Sequence, residues 1–206
     1  MNELNLTSEQ IDVLKEIGTV GSGSAATALS QLLRKKVTIE VPQITVMSHE
    51  AVSSKDFTFQ SSEVGLAVEF KILGAVRGGM LVLFSQKSAM MMIDVLMKRP
   101  GGSTQLLNLL EASALAESSH ILSGAYLNAV GELLELHQLM LSIPQTTVDR
   151  LDRLNKLLLR RFADEGINYL LPIENKLKLE GVEVDVFVVL LLEYESVKKI
   201  LNIIGL

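Results

Sequence analysis

At 206 residues, 48% of them hydrophobic, the chain has material for one domain with a substantial core, and general disorder is excluded. A formal net charge of -5 without any long Lys/Arg stripe argues against nucleic acid as a partner. The lack of cysteine excludes disulfides and thiolate metal sites, and His49, His120 and His137 are too scattered for a closed zinc site, so no metal of its own is expected.

The first predicted element is a long helix. Thr7 followed by Gln10 has capping-box spacing, and apolar periodicity then runs from Ile11 to about Leu33 without proline. At about 100° per residue, Asp12, Glu16, Thr19 and Gly23 share one arc. Ile11, Leu14, Gly18, Gly21, Ala25, Leu29 and Leu32 oppose it, so the polar arc is expected to face outward. The small residues within this helix let a neighbouring element come close. The run Gly18 to Gly23 has neither the spacing nor the lysine of a nucleotide loop, and it lies inside the helix.

Lys36 to Met47 alternates and reads as a strand, with Pro42 at a bend or edge. Glu63 to Leu73 is a second strand, Gly74 to Gly79 a turn, and Met80 to Phe84 a third strand. Ser88 to Lys98 is a short helix in which Met90, Met91 and Met92 fill core, and Arg99-Pro100-Gly101-Gly102 ends it.

The pattern then restarts. A helix from about Leu109 to Leu136 carries Ser113, Glu117, His120 and Gly124 on one arc, opposed by Leu115, Leu122, Tyr126, Ala129 and Leu133. An offset of 101 residues superposes the two copies, pairing Glu16 with Glu117, Ser22-Gly23 with Ser123-Gly124, and Leu32-Leu33 with Leu133-Leu134. The strand-like segment His137 to Pro144 follows, then a helical spacing over Thr147 to Ala163 with no counterpart in the first half. Strands over Asn168 to Leu179 and Val182 to Glu193 and a helix over Ser196 to Ile204 complete the chain. The expected architecture is α/β (α+β), with two long helices packed on a mainly antiparallel sheet. It is expected to be a single domain of two structural repeats, about 7–98 and 109–206.

Two further expectations concern the surroundings. Arg34-Lys35-Lys36 and Arg160-Arg161 are short clusters that favour helix C-termini. The polar N-terminal stretch is unlike a secretion signal, and the apolar run Val186 to Leu192 is too short to span a bilayer, so a soluble, cytoplasmic chain with no membrane partner is expected.

A helical face bearing a carboxylate and, three residues on, a hydrogen-bonding side chain suits action on something that docks against it. No nucleophile with its base or phosphate cradle accompanies it. Taken singly, Glu16 and Glu117 would be ordinary solvated helix residues.

These residues resemble the CheC, CheX and FliY phosphatases of bacterial and archaeal chemotaxis. That signature is Asp or Ser, three residues, Glu, two residues, Asn, then twenty-two residues and Pro. Asp12, Glu16 and Pro42 fall on it, with Thr19 at the Asn position. In the second copy Ser113 and Glu117 fit, His120 stands at the Asn position, and Pro144 comes one residue late. The flanking segment Leu14 to Leu33 is also CheC-like.

The resemblance implies a substrate, the phospho-aspartate of a CheY-type response regulator that carries its own Mg²⁺. It implies that Glu16 and Glu117 pair with a regulator lysine, and that Thr19 and His120 stand where an Asn orients water for in-line attack. Asp12 and Ser113 are implied as partner-binding positions, and Pro42 and Pro144 as structural residues at the strand beneath each site. Asp149 lies where contact with the deamidase CheD would begin. The competing expectation is a CheC-like binding module that docks the regulator, CheD or both with little hydrolysis. A FliY-like switch component is disfavoured because no switch domain follows Leu206, and a CheX-like dimer because CheX keeps one motif.

Overall fold

The computed structural model describes residues 6–40, 43–44, 47–48, 63–164, 169–182 and 184–206. The first helix, α1 (Ser8–Leu33), starts where the sequence predicts it. Thr7 Oγ1 accepts from Gln10 N–H at 3.2 Å while Gln10 Oε1 accepts from Thr7 N–H at 3.0 Å, so two otherwise orphaned amides are satisfied reciprocally. After it come β1 (Val37–Ile39), β2 (Gln43–Ile44), β3 (Met47–Ser48), the hairpin β4 (Val64–Leu73) and β5 (Gly78–Ser85), and α2 (Gln86–Leu96). The second half contains α3 (Leu109–Leu133), β6 (Met140–Leu141), β7 (Gln145–Arg150), α4 (Leu151–Asp164), β8 (Tyr169–Leu179), β9 (Asp185–Glu193) and α5 (Tyr194–Ile203). None of the described helices is long and apolar enough to cross a membrane.

The strands form one antiparallel sheet, in the order β1-β8-β9-β5-β4-β6, with β2 and β3 also on β8 and β7 also on β4. Its central pair is β5 and β9, joined by Val82 opposite Val188. Each hairpin takes its outer neighbour from the other half of the chain: β8 from β1 to β3, and β4 from β6 and β7.

Both outer ladders carry the same irregularity. From Ile39, opposite Leu177, to Gln43, opposite Glu174, the chain advances four positions while its partner advances three. From Leu141, opposite Ile72, to Gln145, opposite Glu69, the same step occurs. In the second ladder, where every residue of the step is described, the one extra residue in the outer strand is the signature of a β-bulge. Pro144, which lacks an N–H for the ladder, sits in the second step. Ser142 holds the strand there, its N–H donating to Lys71 O and its Oγ accepting from Lys71 N–H, both at 2.9 Å. Pro42 lies outside the described residues.

Alternation in β4 separates two layers. Leu66, Val68, Phe70 and Ile72 enter a core built with Leu14, Ile17, Ala25 and Leu29 of α1 and Leu115, Leu122 and Tyr126 of α3. The residues between them face the other way, where Gly65 leaves room for Leu151 of α4. Glu69, 4% exposed, meets Arg161 of α4 there at 3.0 Å.

Three expectations are corrected. Helical spacing over Thr147 to Ala163 placed the start of the last unmatched helix too early: α4 begins at Leu151, because Gln145–Arg150 pairs with Val64–Glu69 of β4. Tertiary pairing, with β-branched Thr146, Thr147 and Val148, overrides the apolar periodicity. The segment His137 to Pro144 is strand only at Met140–Leu141. Leu32 and Leu133, assigned to the inner face, are 39% and 47% exposed, and Leu33 and Leu134 turn inward instead at the helix ends.

The junction between halves is a polar knot. Asp94 of α2, 1% exposed, accepts from Ser103 N–H at 2.9 Å, Thr104 N–H at 3.0 Å and Thr104 Oγ1 at 2.7 Å. Burial alone would raise its pKa, but the Thr104 hydroxyl and the backbone N–H groups of Gly102, Thr104 and Ser103 hold it below the usual aspartate value. Glu111 closes a capping box with Asn108 and pairs with Arg99 at 2.6 Å. The Asn108 N–H and then the Arg99 guanidinium depress its pKa.

Candidate functional site

The two long helices pack on each other and present the predicted arcs to solvent. On α1, Asp12, Glu16 and Thr19 are exposed and Gly23 is half-buried, while Leu14, Ile17, Gly18 and Gly21 are buried below them. On α3, Ser113 and Glu117 are exposed and His120 and Gly124 half-buried, above buried Leu115, Ser118 and Leu122. Each set of side chains therefore shares a single helical face, as one turn of 3.6 residues requires.

The carboxylates differ in how they are used. Asp12 is tied to Lys15 at 3.1 Å. Glu16 and Glu117 accept no hydrogen bond and join no ion pair among the described residues. An exposed, unpaired carboxylate keeps its full capacity for a cation brought by another molecule.

Thr19 and His120 occupy matching positions in unlike ways. The Thr19 hydroxyl donates to Lys15 O at 2.9 Å, back-bonding along its own helix. Its proton is committed inward, and toward solvent the oxygen offers lone pairs only. The His120 ring instead leans onto Phe70, a fully buried β4 side chain, with centroids 5.5 Å apart and planes inclined by 31°. The first arc thus carries a small acceptor, and the second a ring anchored on the core.

Periodicity drawn through the polar residues missed an apolar companion. Val20 and Ile121, one position after Thr19 and His120, are 37% and 39% exposed. The signal was present as a β-branched residue four after each Glu, which puts it on the same face. The sites differ at their N-terminal ends: Leu109 and Leu110 are 89% and 70% exposed, where the first copy has Ser8 and Glu9.

Asp149 stands apart from both arcs. It lies in β7 opposite Gly65, half-buried, with Oδ1 accepting from Arg150 N–H at 2.7 Å and 3.9 Å from Arg153 Nη1. Its carboxylate is thus engaged at the strand-to-helix corner.

Comparison with known proteins gives concordant matches. A model of the CheC-like family matches residues 9–46, which include the whole first arc. The CheY-P phosphatase CheC of Bacillus subtilis (strain 168) is 33% identical over 147 residues, covering 70% of this chain and 68% of that protein. The flagellar motor switch phosphatase FliY of the same organism is 30% identical over 122 residues, 59% of this chain and 31% of that protein. The crystal structure of Thermotoga maritima FliY shares the fold, with a TM-score of 0.74 at 23% identity, over 97% of this chain and 98% of that one.

Proposed function

This chain belongs to the CheC-like family, and from that premise we propose that it dephosphorylates the phospho-aspartate of a CheY-type response regulator in chemotaxis signalling. The observation that carries the reading is the first arc: an exposed Glu16 carboxylate without a partner among the described residues, one turn from an exposed Thr19 oxygen with only lone pairs outward. Glu16 takes a lysine of the regulator and holds the complex. Thr19 Oγ1 accepts a hydrogen bond from a water, which turns a lone pair of that water toward phosphorus. Val20 adds an apolar contact beside them.

Such a site needs little chemistry of its own, because in-line phosphoryl transfer to water is governed by positioning and by charge around the phosphoryl oxygens. The regulator's own Mg²⁺ supplies the charge neutralisation. Glu117 and His120 form a second, weaker site, since a ring held against Phe70 reaches outward less freely than a small hydroxyl. Asp12 and Ser113 border the docking faces, Pro42 and Pro144 hold the strands beneath them, and CheD docks where α4 begins near Asp149. In this reading the chain is one cytoplasmic domain of two repeats.

The test follows loss of phosphate from a phosphorylated CheY-type regulator in Mg²⁺. The native chain should accelerate decay above the regulator's own rate, and Glu16→Ala and Thr19→Ala should each lose about tenfold or more, the worth of one charge-assisted contact for Glu16 and of one positioning hydrogen bond for Thr19. Thr19→Asn should be at least as fast as the native chain, and His120→Asn should add rate at the second site. A native chain that binds the regulator but leaves its decay unchanged would establish the binding-module reading instead.

A further inference from the structure

A cleft of about 740 Å³ opens between the C-terminal ends of α1 and α2 and the β8–β9 turn, away from both arcs. Its cations are Arg34, Lys35, Lys87, Lys98 and Arg99, and its apolar wall is Leu33, Met91, Val95 and Val182. Five of the chain's 19 Lys and Arg residues converge here, against one of its 24 acidic residues, Asp94. That carboxylate is buried and bonded to Ser103 and Thr104. A chain of net charge -5 has therefore gathered a positive pocket from three separate stretches of sequence.

Three of these cations have nothing to neutralise them among the described residues. Arg99 is paired with Glu111. Arg34, Lys35 and Lys98 have no side-chain hydrogen bond or ion pair among the described residues. Complementing a helix C-terminus is the ordinary reason for a cation in such a place. The other half of the chain argues against it. Arg34, at φ 52°, follows α1 in the left-handed conformation, and the matching residue after α3 is Glu135, at φ 51°. The matching residue for Lys35 is Leu136, which is buried. The same backbone ending carries a carboxylate in one half and a guanidinium in the other, so the helix end does not dictate the charge.

We propose that this cleft binds a small organic phosphate of the nucleoside diphosphate class. Its phosphates would lie on Arg34, Lys35 and Lys98, and its apolar body against Met91, Val95 and Val182. The volume falls within the range of about 300–1,000 Å³ usual for small-molecule sites, which combine apolar walls with a few convergent polar groups. Lysine and arginine together suit phosphate oxygens, as point charge and as fork. The cations line a concavity instead of forming a long stripe along the chain, which separates this pocket from a nucleic-acid track.

Calorimetric titration of the full chain with ADP, with pyrophosphate and with a hexaglutamate peptide tests the assignment. ADP should bind more tightly than pyrophosphate, and hexaglutamate more weakly than both. The double variant Arg34→Glu/Lys98→Glu should lose about tenfold or more in ADP affinity, and Lys35→Gln, a milder change, should lose part of it. Arg160→Glu, a single charge reversal on α4 outside the cleft, should retain the native affinity. Equal melting temperatures across the variants would show that the fold is kept. The assignment is overturned if ADP gives no binding heat, if the double variant binds as the native chain does, or if Arg160→Glu loses as much. It is equally overturned if pyrophosphate matches ADP or hexaglutamate exceeds it. None of these residues lies on the Glu16 and Thr19 arc, so failure here leaves the phosphatase reading standing.

Discussion

At Gly21 a single atom decides how closely the two long helices meet. A Cβ there would lie 2.5 to 2.7 Å from three carbons of the Tyr126 ring, which is fully buried and has no space to retreat. Gly to Ala inside a helix ordinarily gains about 1 kcal/mol. Here Gly21→Ala should instead destabilise the protein by about 1–3 kcal/mol, the cost of overpacking. Urea titration would show a lower midpoint at unchanged slope. The small residues of α1 were visible in the sequence as sites of close approach, but not that Tyr126 fills the space, since a periodic pattern fixes the inner face of a helix and not which side chain meets it. Thr19 is similar: its outward position follows from spacing, whereas the bond to Lys15 O depends on a rotamer that no pattern encodes.

Between elements, legibility depended on whether local preference and tertiary pairing agreed. The hairpin β4–β5 and both long helices agree with their patterns. The segment Thr147 to Arg150 does not, because apolar spacing continued into it from α4 while its backbone was claimed by β4. The joint between α2 and α3 was seen only as punctuation, yet it holds two buried carboxylates, Asp94 and Glu111, both with pKa values below the ordinary. A depressed folded-state value stabilises the fold above the unfolded-state carboxylate pKa of about 4, and that stabilisation is lost as pH falls through the lowered value. Urea midpoints should therefore hold steady down to about pH 4 and fall steeply below it. Asp94→Asn should lower the midpoint at pH 6 and make the acid decline shallower, because the group that must be protonated is gone. An unchanged acid slope would remove Asp94 from this role.

Across the whole molecule the organising fact is the exchange of outer strands. The sequence showed two similar halves. It did not show that β1 to β3 pair with β8, or β6 and β7 with β4, because strand partners far apart in sequence leave no local trace. Residues 1–104 alone would leave β4 and β5 without an outer strand on either side, and residues 105–206 would leave β8 and β9 likewise. Each fragment should be largely unfolded by circular dichroism, and mixing the two should restore the helical signal and a cooperative melt. A fragment that melts cooperatively by itself would contradict this.

The same exchange separates the fate of a site from the fate of the helix that carries it. Glu117 faces outward and can be altered without touching the sheet, whereas Leu115, Leu122 and Tyr126 on the same helix pack in a core shared with α1. Selection acting on α3 is thus split by helical phase: one face is exposed to solvent, the other is bound to the rest of the chain. The second arc can drift, specialise or fall silent while the element beneath it stays as it is, so two sites joined in one body are free to become different from each other.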